Sequence, residues 1–224
     1  MVIPEYSRSS DISRVNTVKN NEAERRPRGR PRSFDREEAL AAAAHTFWAL
    51  GYEGASITDL TEAMGITPQS LYAAFGSKAE LHREALIWYR GHVGAFGPQI
   101  LAQEADVVRA FERILLAWAD QYARKEHPRG CMISTAVLRC ASENRPVAEH
   151  VSSLRLGALA MFRERLERAV REGNLKPDTD TAALARFLGA LVQGMSVQAQ
   201  DGASSEELAG IARLGIAQLE RYRT

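Results

Sequence analysis

The stretch SITDLTEAMGITPQSLYAAFGSKAEL, from Ser56 to Leu81, contains start and stop signals for three short helices. Ser56 with an acidic residue three positions later is typical of a capping box, in which side chains and backbone amides bond reciprocally at a helix start. Gly65 can end this first helix, because only glycine enters the left-handed region without a steric penalty. Thr67 can cap a second helix, and Pro68 suits its first turn, where no amide hydrogen is needed.

The end of the second helix and the start of a third are marked in the same way. Gly76 supplies a stop, and Ser77 followed by Glu80 supplies the next capping signal. Two short helices joined by a glycine-containing turn are typical of the helix-turn-helix motif, whose second helix enters the DNA major groove. The alternative is an ordinary helical hairpin in an all-α core, which the same spacing would fit.

The second helix of this pair keeps polar, uncharged side chains on its outer, N-terminal part. Such groups suit hydrogen bonds to base edges and phosphates at close range. The predicted contacts are Gln69 and Tyr72 first, supported by Thr58, Thr67 and Ser70. Lys78, at the start of the third helix, is expected to hold a phosphate together with the N-terminal amides of that helix.

The segment from Asp35 to Leu86 resembles the DNA-binding domain of the TetR family of bacterial transcriptional regulators. Its LYxxFxSKxEL pattern is far more specific than a bare helix-turn-helix. The residues that carry the resemblance are Phe47, Gly51, Tyr52, Ser56, Ile57, Leu60, Gly65, Leu71, Tyr72, Phe75, Ser77, Lys78 and Leu81. The sequence departs from the family pattern at Thr61, where alanine is usual, and at Ala73 and Ala74, where bulkier residues are frequent.

The resemblance implies a sequence-specific DNA-binding transcriptional regulator, a repressor released from its operator by a small-molecule effector. Its expected fold is all-α, with an N-terminal three-helix helix-turn-helix domain and a C-terminal helical bundle for ligand binding and dimerisation. Two alternatives stay open. One is a redox- or electrophile-sensing repressor, and the other is a DNA-binding protein without an effector.

Arginines are concentrated just before this segment. Five of them lie within residues 25–32, which contain no acid, and such blocks are often nucleic-acid arms. Residues 1–32 are therefore interpreted as a disordered basic arm, with Arg28, Arg30 and Arg32 as DNA contacts. The sequence around Gly29 is similar to the core of an AT-hook, which lies in a narrow minor groove. The alternative is a flexible leader that raises affinity only through counterion release.

Composition narrows the class of protein. The chain has 224 residues, a formal net charge of +1 and 45% hydrophobic residues, which suffices for a core. Residues 1–24 lack the apolar core of a secretory signal, no segment reaches the roughly 20 apolar residues that span a bilayer, and two cysteines suit a reducing compartment. We therefore expect a cytoplasmic protein without membrane contact.

Catalytic and metal-binding patterns are missing from the sequence. The histidines and cysteines have no metal-ligand spacing, and no nucleophile elbow, phosphate loop or dinucleotide fingerprint occurs. The expectation is a protein that is not an enzyme and that needs neither a metal nor a cofactor.

Helical periodicity dominates the whole chain. The predicted helices are residues 35–50, the helix-turn-helix pair, 78–91, 105–125, 131–142, 146–172, 180–200 and 205–222. The run from Gly91 to Pro98, with three glycines and a proline, is the best boundary candidate. The predicted domains are a helix-turn-helix domain at 33–90 and an effector-binding and dimerisation domain at 98–224.

The last two helices are predicted to pair two subunits, because one short reading helix covers few base pairs. A homodimer would read a palindromic operator with half-sites about 34–36 Å apart or a multiple of that. The predicted interface residues are Leu184, Phe187, Leu188, Leu191, Leu208, Ile211 and Leu214. Glycines 189, 194, 210 and 215 cost helix stability, which close approach of two backbones would explain. The alternative is that these faces close the monomer core.

The C-terminal part also offers candidates for an effector pocket. The bulky or polar groups suited to its wall are Trp88, Phe96, Trp118, Tyr122, Met132, Met161, Phe162 and Gln193. Each of them could equally be plain core.

Cys131 follows Pro128-Arg129-Gly130 and is predicted to lie at a helix N-terminus. There the helix dipole and Arg129 would favour the thiolate. Its placement is similar to that of electrophile-sensing TetR family members, which makes it a candidate redox residue. The alternative is a small buried hydrophobe.

Overall fold

The structure is a computed structural model that describes residues 34–224. The predicted arm, with Arg28, Arg30 and Arg32, lies outside the described residues. Within 34–224 the chain forms nine α-helices and no β-strand, which confirms the all-α fold. The helices are α1 (Arg36–Gly54), α2 (Ile57–Met64), α3 (Pro68–Phe75), α4 (Lys78–His92), α5 (Phe96–Gln103), α6 (Val107–Ala123), α7 (Arg145–Arg171), α8 (Thr181–Gln200) and α9 (Ser205–Glu220).

Local capping sets the ends of α2 and α3 where the sequence predicts them. Ser56 and Asp59 form a complete capping box, and Gly65 follows α2 at φ 65°. Thr67 caps α3 by accepting a hydrogen bond from the Ser70 amide. Each helix end therefore has its partner within a few residues, and the pair needs no distant contact to begin or stop.

The apolar side chains of these short helices meet in one core. Leu60, Leu71 and Leu81 are fully buried against α1 and α4. Thr61 is buried as well, but its hydroxyl donates to the Ile57 carbonyl at 2.9 Å. This internal hydrogen bond satisfies the polar group that the departure from the family pattern brings into the core.

Helix α1 contains a break at Gly51, directly after the predicted helix 35–50. Gly51 takes φ 73° and ψ 171°, outside the helical region, and the chain resumes a helical turn before Ala55. The predicted stop at this glycine is therefore a kink, after which Tyr52 turns into the core.

The remaining helices pack around α6. This helix contacts α7, α8 and α9, and its Phe111 meets Phe162 of α7 edge-to-face with ring centroids 5.3 Å apart. Residues Phe34–Thr224 form one compact unit. No helix among these residues is long and apolar enough to cross a membrane.

Two predictions about helices are wrong. The sequence predicts no helix between residues 91 and 105, but α5 forms there and packs Phe96 against Trp118 with ring centroids 4.5 Å apart. The predicted helix 131–142 does not form, and residues 124–144, here named the connecting segment, follow irregular turns apart from a short 3₁₀ turn at Ser142–Asn144.

Distant partners explain why the connecting segment is not helical. The Cys131 amide donates to Ser196 Oγ of α8 at 2.8 Å. Arg155 of α7 donates to the carbonyls of Ile133 and Ala136, at 3.3 and 2.9 Å. These bonds occupy backbone groups that a helix would pair internally.

Candidate nucleic-acid interface and ligand cavity

Helix α3 presents a polar outer face. Leu71 and Phe75 point into the core, whereas Thr67 and Gln69 are exposed and the side chain of Tyr72 is 48% exposed. The hydroxyls of Thr67 and Ser70 lie 3.0 Å apart and hydrogen-bond to each other. Gln69 and Tyr72 are therefore the predicted contacts whose polar groups stay uncommitted within this helix.

The two other predicted contacts flank α3. Thr58 is exposed on the first turn of α2. Lys78 is half-buried at the start of α4, with its Nζ 4.6 Å from the centre of the Tyr52 ring. Burial lowers the pKa of Lys78, while the carboxylates of Glu53 and Asp59 oppose that shift. The ammonium group is thus held at the N-terminal end of α4 beside α3.

Charge in this region is unevenly distributed along the chain. Residues 34–92 contain four Lys or Arg against eight Asp or Glu, whereas residues 1–33 contain eight Lys or Arg against four Asp or Glu. The helices that carry α3 therefore have the same sign of net charge as DNA. Among residues 1–92, the excess of positive charge therefore lies before residue 34.

A buried histidine lies behind this face. The His82 side chain of α4 is 1% exposed and packs edge-on against the rings of Phe47 and Tyr52. Burial, with further contributions from His150 and Lys78, lowers the pKa of His82 to about 4. The imidazole is therefore neutral and part of the core at neutral pH.

A cavity of about 640 Å³ lies among α4, α6, α7 and α8. Its size falls in the range of small-molecule sites, which is about 300–1,000 Å³. Five of the predicted pocket residues line it: Trp118, Tyr122, Met161, Phe162 and Gln193.

The three other predicted pocket residues lie elsewhere. Trp88 stacks on His92 with ring centroids 4.6 Å apart, outside the cavity wall. Phe96 packs behind Trp118, and Met132 lines a separate depression together with Phe47 and Trp48. Bulk and hydrophobicity could not separate wall from core, since both kinds of position need them.

Several lining residues were not anticipated from the sequence. Tyr89 of α4 contributes a phenol, Arg155 of α7 contributes a guanidinium, and Leu159 of α7 faces Gly189 of α8. Tyr89 lies at helical spacing from Leu81, Ala85 and Leu86, all of them buried. That spacing is the signal of a core face and gives no hint of a cavity.

Cys131 lines the same cavity, but its surroundings differ from those that the sequence predicts. It is buried, and because the connecting segment is irregular it does not lie at a helix N-terminus. The dipole expected to favour its thiolate is therefore missing. Its backbone is fixed instead by the hydrogen bond to Ser196.

The connecting segment also contacts the helices that carry α3. The ring of His127 stacks on Trp48 of α1 with centroids 4.4 Å apart. The Ala141 amide and the Asn144 side chain both donate to Glu53 Oε1, at 3.1 and 2.9 Å. These two bonds, the Asn144 amide first, lower the pKa of Glu53. One segment thus lines the cavity and contacts α1.

Part of the predicted dimer face is internal. Leu184, Leu188 and Leu208 are buried in the core of their own subunit. Leu191 and Ile211 are half-buried, while Phe187 and Leu214 are exposed, Leu214 by 76%. The sequence alone could not tell which apolar face of each helix points outward.

Small residues accompany the exposed apolar ones. Ala183, Phe187, Ala190 and Val197 follow one another along the outer face of α8 at helical spacing. A side chain added at Gly194 or Gly210 would meet nothing within 4 Å, whereas one at Gly189 or Gly215 would collide with Leu159 or Leu191. Gly189 and Gly215 therefore make room for leucines within the subunit, whereas Gly194 and Gly210 have open space beside them.

Within residues 34–224, no group of three or more His, Cys, Asp or Glu side chains is placed to hold a metal ion. The polar groups described here are suited to hydrogen bonding and charge attraction.

Comparison with known proteins gives the family. The family described as bacterial regulatory proteins, tetR family, matches residues 39–85, and the tetracyclin repressor-like C-terminal domain matches residues 108–213. The HTH-type transcriptional repressor ComR of Escherichia coli (strain K12) is 33% identical over 189 residues, which cover 84% of this chain and 90% of that protein. The repressor BdcR of the same organism is 28% identical over 186 residues, 83% of this chain and 89% of that protein.

A solved structure agrees with these relatives. It holds a cysteine mutant of the TetR family transcriptional regulator CifR complexed with 26-bp double-strand operator DNA. It is 40% identical to this chain with a TM-score of 0.81, and the match covers 84% of this chain and 98% of that one. The chain described here therefore belongs to the TetR family of bacterial transcriptional regulators.

Proposed function

We propose that this protein is a cytoplasmic transcriptional repressor that binds operator DNA as a homodimer and leaves it when a small molecule enters the cavity. The observation that carries the proposal is the polar outer face of α3, held in a capped helix pair, in a chain 40% identical to a regulator solved on operator DNA. In-vitro selection of bound duplexes with the purified protein tests it. A palindrome is expected, and failure to enrich any duplex would contradict the proposal.

Gln69 and Tyr72 are proposed to read the operator. Gln69→Ala and Tyr72→Phe each remove a polar group that has no partner within α3. Loss of one good base contact is worth about 1–3 kcal/mol, so we expect a complex that is weaker by about 5- to 150-fold. Gln103→Ala, which changes an exposed glutamine at the end of α5, is the matched control and should not alter operator affinity.

Lys78 is proposed to hold a phosphate, aided by the free amides of the first turn of α4. Lys78→Ala should weaken binding evenly across operator sequences and reduce the slope of log affinity against log salt by about one. An unchanged slope would remove Lys78 from the interface.

The arginine arm is proposed to offset the acidic charge of the reading domain. Deleting residues 1–32 should abolish most operator affinity at physiological salt and reduce the salt slope by about four or five, one for each arginine of residues 25–32 that contacts a phosphate. The double variant Arg28→Lys, Arg30→Lys keeps the charge but loses the flat guanidinium groups. If it weakens binding only at A·T-rich flanks, the arm reads the minor groove; if it binds like the wild type, the arm acts through charge alone.

The outer face of α8 and α9 is proposed to pair two subunits. Leu214→Glu places a charge on the most exposed apolar side chain of this face and should give monomers in sedimentation experiments. Leu156→Glu changes another exposed leucine, 57% exposed on α7, and should leave the dimer intact. If both variants stay dimeric, the interface lies elsewhere.

Release from DNA is proposed to pass through the connecting segment. Its Cys131, Ile133 and Ser134 line the cavity, and its Ala141 and Asn144 bond to Glu53 of α1. A ligand that displaces the cavity side of the segment would shift α1, and with it the spacing of the two α3 helices in a dimer. By thermodynamic linkage, DNA should weaken effector binding by the same factor by which the effector weakens DNA binding.

Covalent modification of Cys131 is a second way to reach the same release, favoured by the position of its thiol in the cavity wall. In a Cys140→Ser background, N-ethylmaleimide can form a thioether at Cys131 by addition of its thiolate across the double bond. Reduced operator affinity after this reaction, with none in Cys131→Ser, would support it. Full affinity of the alkylated protein would exclude it.

A further inference from the structure

Two tyrosines of the cavity wall carry hydroxyl groups that the protein leaves unused. Tyr89 is 1% exposed and Tyr122 is fully buried, and both line the cavity. Neither hydroxyl makes a hydrogen bond of good geometry among residues 34–224, although Cys131 lies near both of them, the Met132 backbone near Tyr89 and the Ser134 side chain near Tyr122. A buried polar group without a partner costs about 1–3 kcal/mol, and phenylalanine would fill the same space without that cost.

The two hydroxyls lie close to the same lining residue, Cys131. Burial raises the pKa of Tyr122 well above its usual range, and the neighbouring side chains of Cys131 and Tyr89 raise it further. Burial and Cys131 likewise raise the pKa of Tyr89. Both phenols are therefore protonated at neutral pH. This part of the wall therefore holds two O–H donors, and a ligand that contacts both would need an acceptor atom.

The rest of the lining suits an apolar body. Trp118 stacks on the Tyr122 ring with centroids 5.1 Å apart, and Ile114, Phe162 and Val192 complete this side of the wall. None of the lining residues is Asp or Glu, so the wall provides no counter-charge for a cationic ligand. Two arginines also line the cavity. The Arg155 guanidinium is already bonded to two carbonyls of the connecting segment, and Arg90 is exposed to solvent.

We propose that the effector is a largely apolar molecule with a neutral oxygen acceptor, of the ketone or ether type, and that Tyr89 and Tyr122 both donate to this oxygen. The inference rests on the proposed function in taking this cavity as the effector site. It adds the chemical class of the ligand and the two residues that select it. An acceptor oxygen between the phenols would satisfy both donors at once, and hydrocarbon or aromatic groups would contact the remaining wall.

A pair of probes that differ only at the acceptor tests the proposal. Benzophenone and diphenylmethane have similar size and shape, but only the first carries a carbonyl oxygen. Binding to the full-length protein is measured by calorimetry or by competition with a fluorescent dye, without DNA. We expect benzophenone to bind the wild type at least about tenfold more tightly, the value of one well-made hydrogen bond to a buried donor.

The tyrosine variants give the decisive comparison. The double variant Tyr89→Phe, Tyr122→Phe should bind both probes with equal affinity, and each single variant should lose part of the preference. Tyr52→Phe, a buried tyrosine outside the cavity, is the control and should keep the full preference. Equal binding of the two probes by the wild type, or an unchanged preference in the double variant, would overturn the proposal.

Thermal unfolding of the ligand-free protein supplies an independent check. Because the two hydroxyls have no internal partners, their removal should leave the melting temperature unchanged or raise it. A melting temperature lowered by several degrees in both single variants would mean that the hydroxyls serve the fold, and the proposal would be wrong. Since no readout uses DNA, a protein that binds benzophenone in this way but is not released from its operator would contradict only the proposed function.

Discussion

The reading stretch Ser56–Leu81 and the connecting segment 124–144 are of similar length but are held in opposite ways. In the reading stretch each cap joins residues three positions apart, as with Ser56 and Asp59 or Thr67 and Ser70. In the connecting segment the fixing bonds join residues 19 to 91 positions apart, as with Ala136 and Arg155 or Asn144 and Glu53. Local interactions therefore fix the reading stretch, whereas contacts with distant helices fix the connecting segment. Four substitutions test this difference.

The largest effect is expected at Gly130, where the connecting segment contacts α8. Its φ is 77°, and a Cβ would lie 2.6 Å from the Ser196 carbonyl oxygen, which belongs to a rigid helix. Gly130→Ala should lower the free energy of unfolding by about 3 kcal/mol, from backbone strain and the collision together. Urea denaturation at fixed protein concentration measures it.

Gly173→Ala is the matched control for this glycine. Its φ is 76°, but a Cβ there would meet nothing within 4 Å. It should cost only the strain of the left-handed conformation, about 1 kcal/mol. Equal losses in both variants would show that long-range docking of the connecting segment adds little.

The next largest effect on stability is expected at His82. This residue directly follows the reading stretch and is buried against Phe47 and Tyr52 of α1. Its folded pKa is about 4, while the unfolded chain has the ordinary value of about 6.5. Below pH 6.5 the unfolded chain gains the proton first, so stability falls with pH until the folded pKa is reached. At pH 5 the loss should be about 2 kcal/mol.

The variant His82→Phe should remove this part of the pH dependence, because phenylalanine suits the aromatic neighbours and does not titrate. Denaturation at pH 7 and at pH 5 gives the slope for both proteins. An imidazole that titrates near pH 6 in the folded wild type, followed by NMR, would contradict the prediction whether or not the variant folds well.

Ser56→Ala tests the local code itself. Loss of an N-cap costs about 1 kcal/mol, and Ser204→Ala removes the corresponding cap of α9, which has the same box with Glu207. Both variants should lose similar stability, because each cap depends on its own first turn and not on its place in the fold. A threefold difference in the measured losses would show that tertiary contacts dominate even there.

The smallest effect on stability is expected at Glu53, an exposed residue of α1 that accepts hydrogen bonds from the connecting segment. Glu53→Ala should leave urea denaturation unchanged but expose the Ala141 amide, which should exchange with deuterium about tenfold faster. Operator affinity should change about threefold if the contact couples the segment to α1. Glu62→Ala, an exposed glutamate of α2, should change neither quantity.

The two regions also mark how far the sequence could be interpreted. The bounds of α2 and α3 follow from Ser56, Gly65, Thr67 and Gly76 because the interactions that fix them are local. The same reasoning placed a helix at 131–142, because it could not show that Ser196 and Arg155 bond to the backbone of that segment. It also missed α5, whose N-cap Ala95 makes no side-chain cap hydrogen bond. For the site, the sequence pattern predicted the polar residues of α3. It could not distinguish Tyr89 from the core residues of α4, because only the packing of the helices shows that this tyrosine lines the cavity.

A single substitution at Gly189 would change the shape of the cavity. A methyl group at this position would displace the end of the Leu159 side chain, which forms part of the wall, and glycine and alanine codons differ by one nucleotide. A single point mutation could thus shrink the chamber while α3 and the outer face of the dimer stay as they are. Under the proposed function, such a substitution would let a lineage of regulators, or an engineer of biosensors, change which molecule is detected without changing which genes respond.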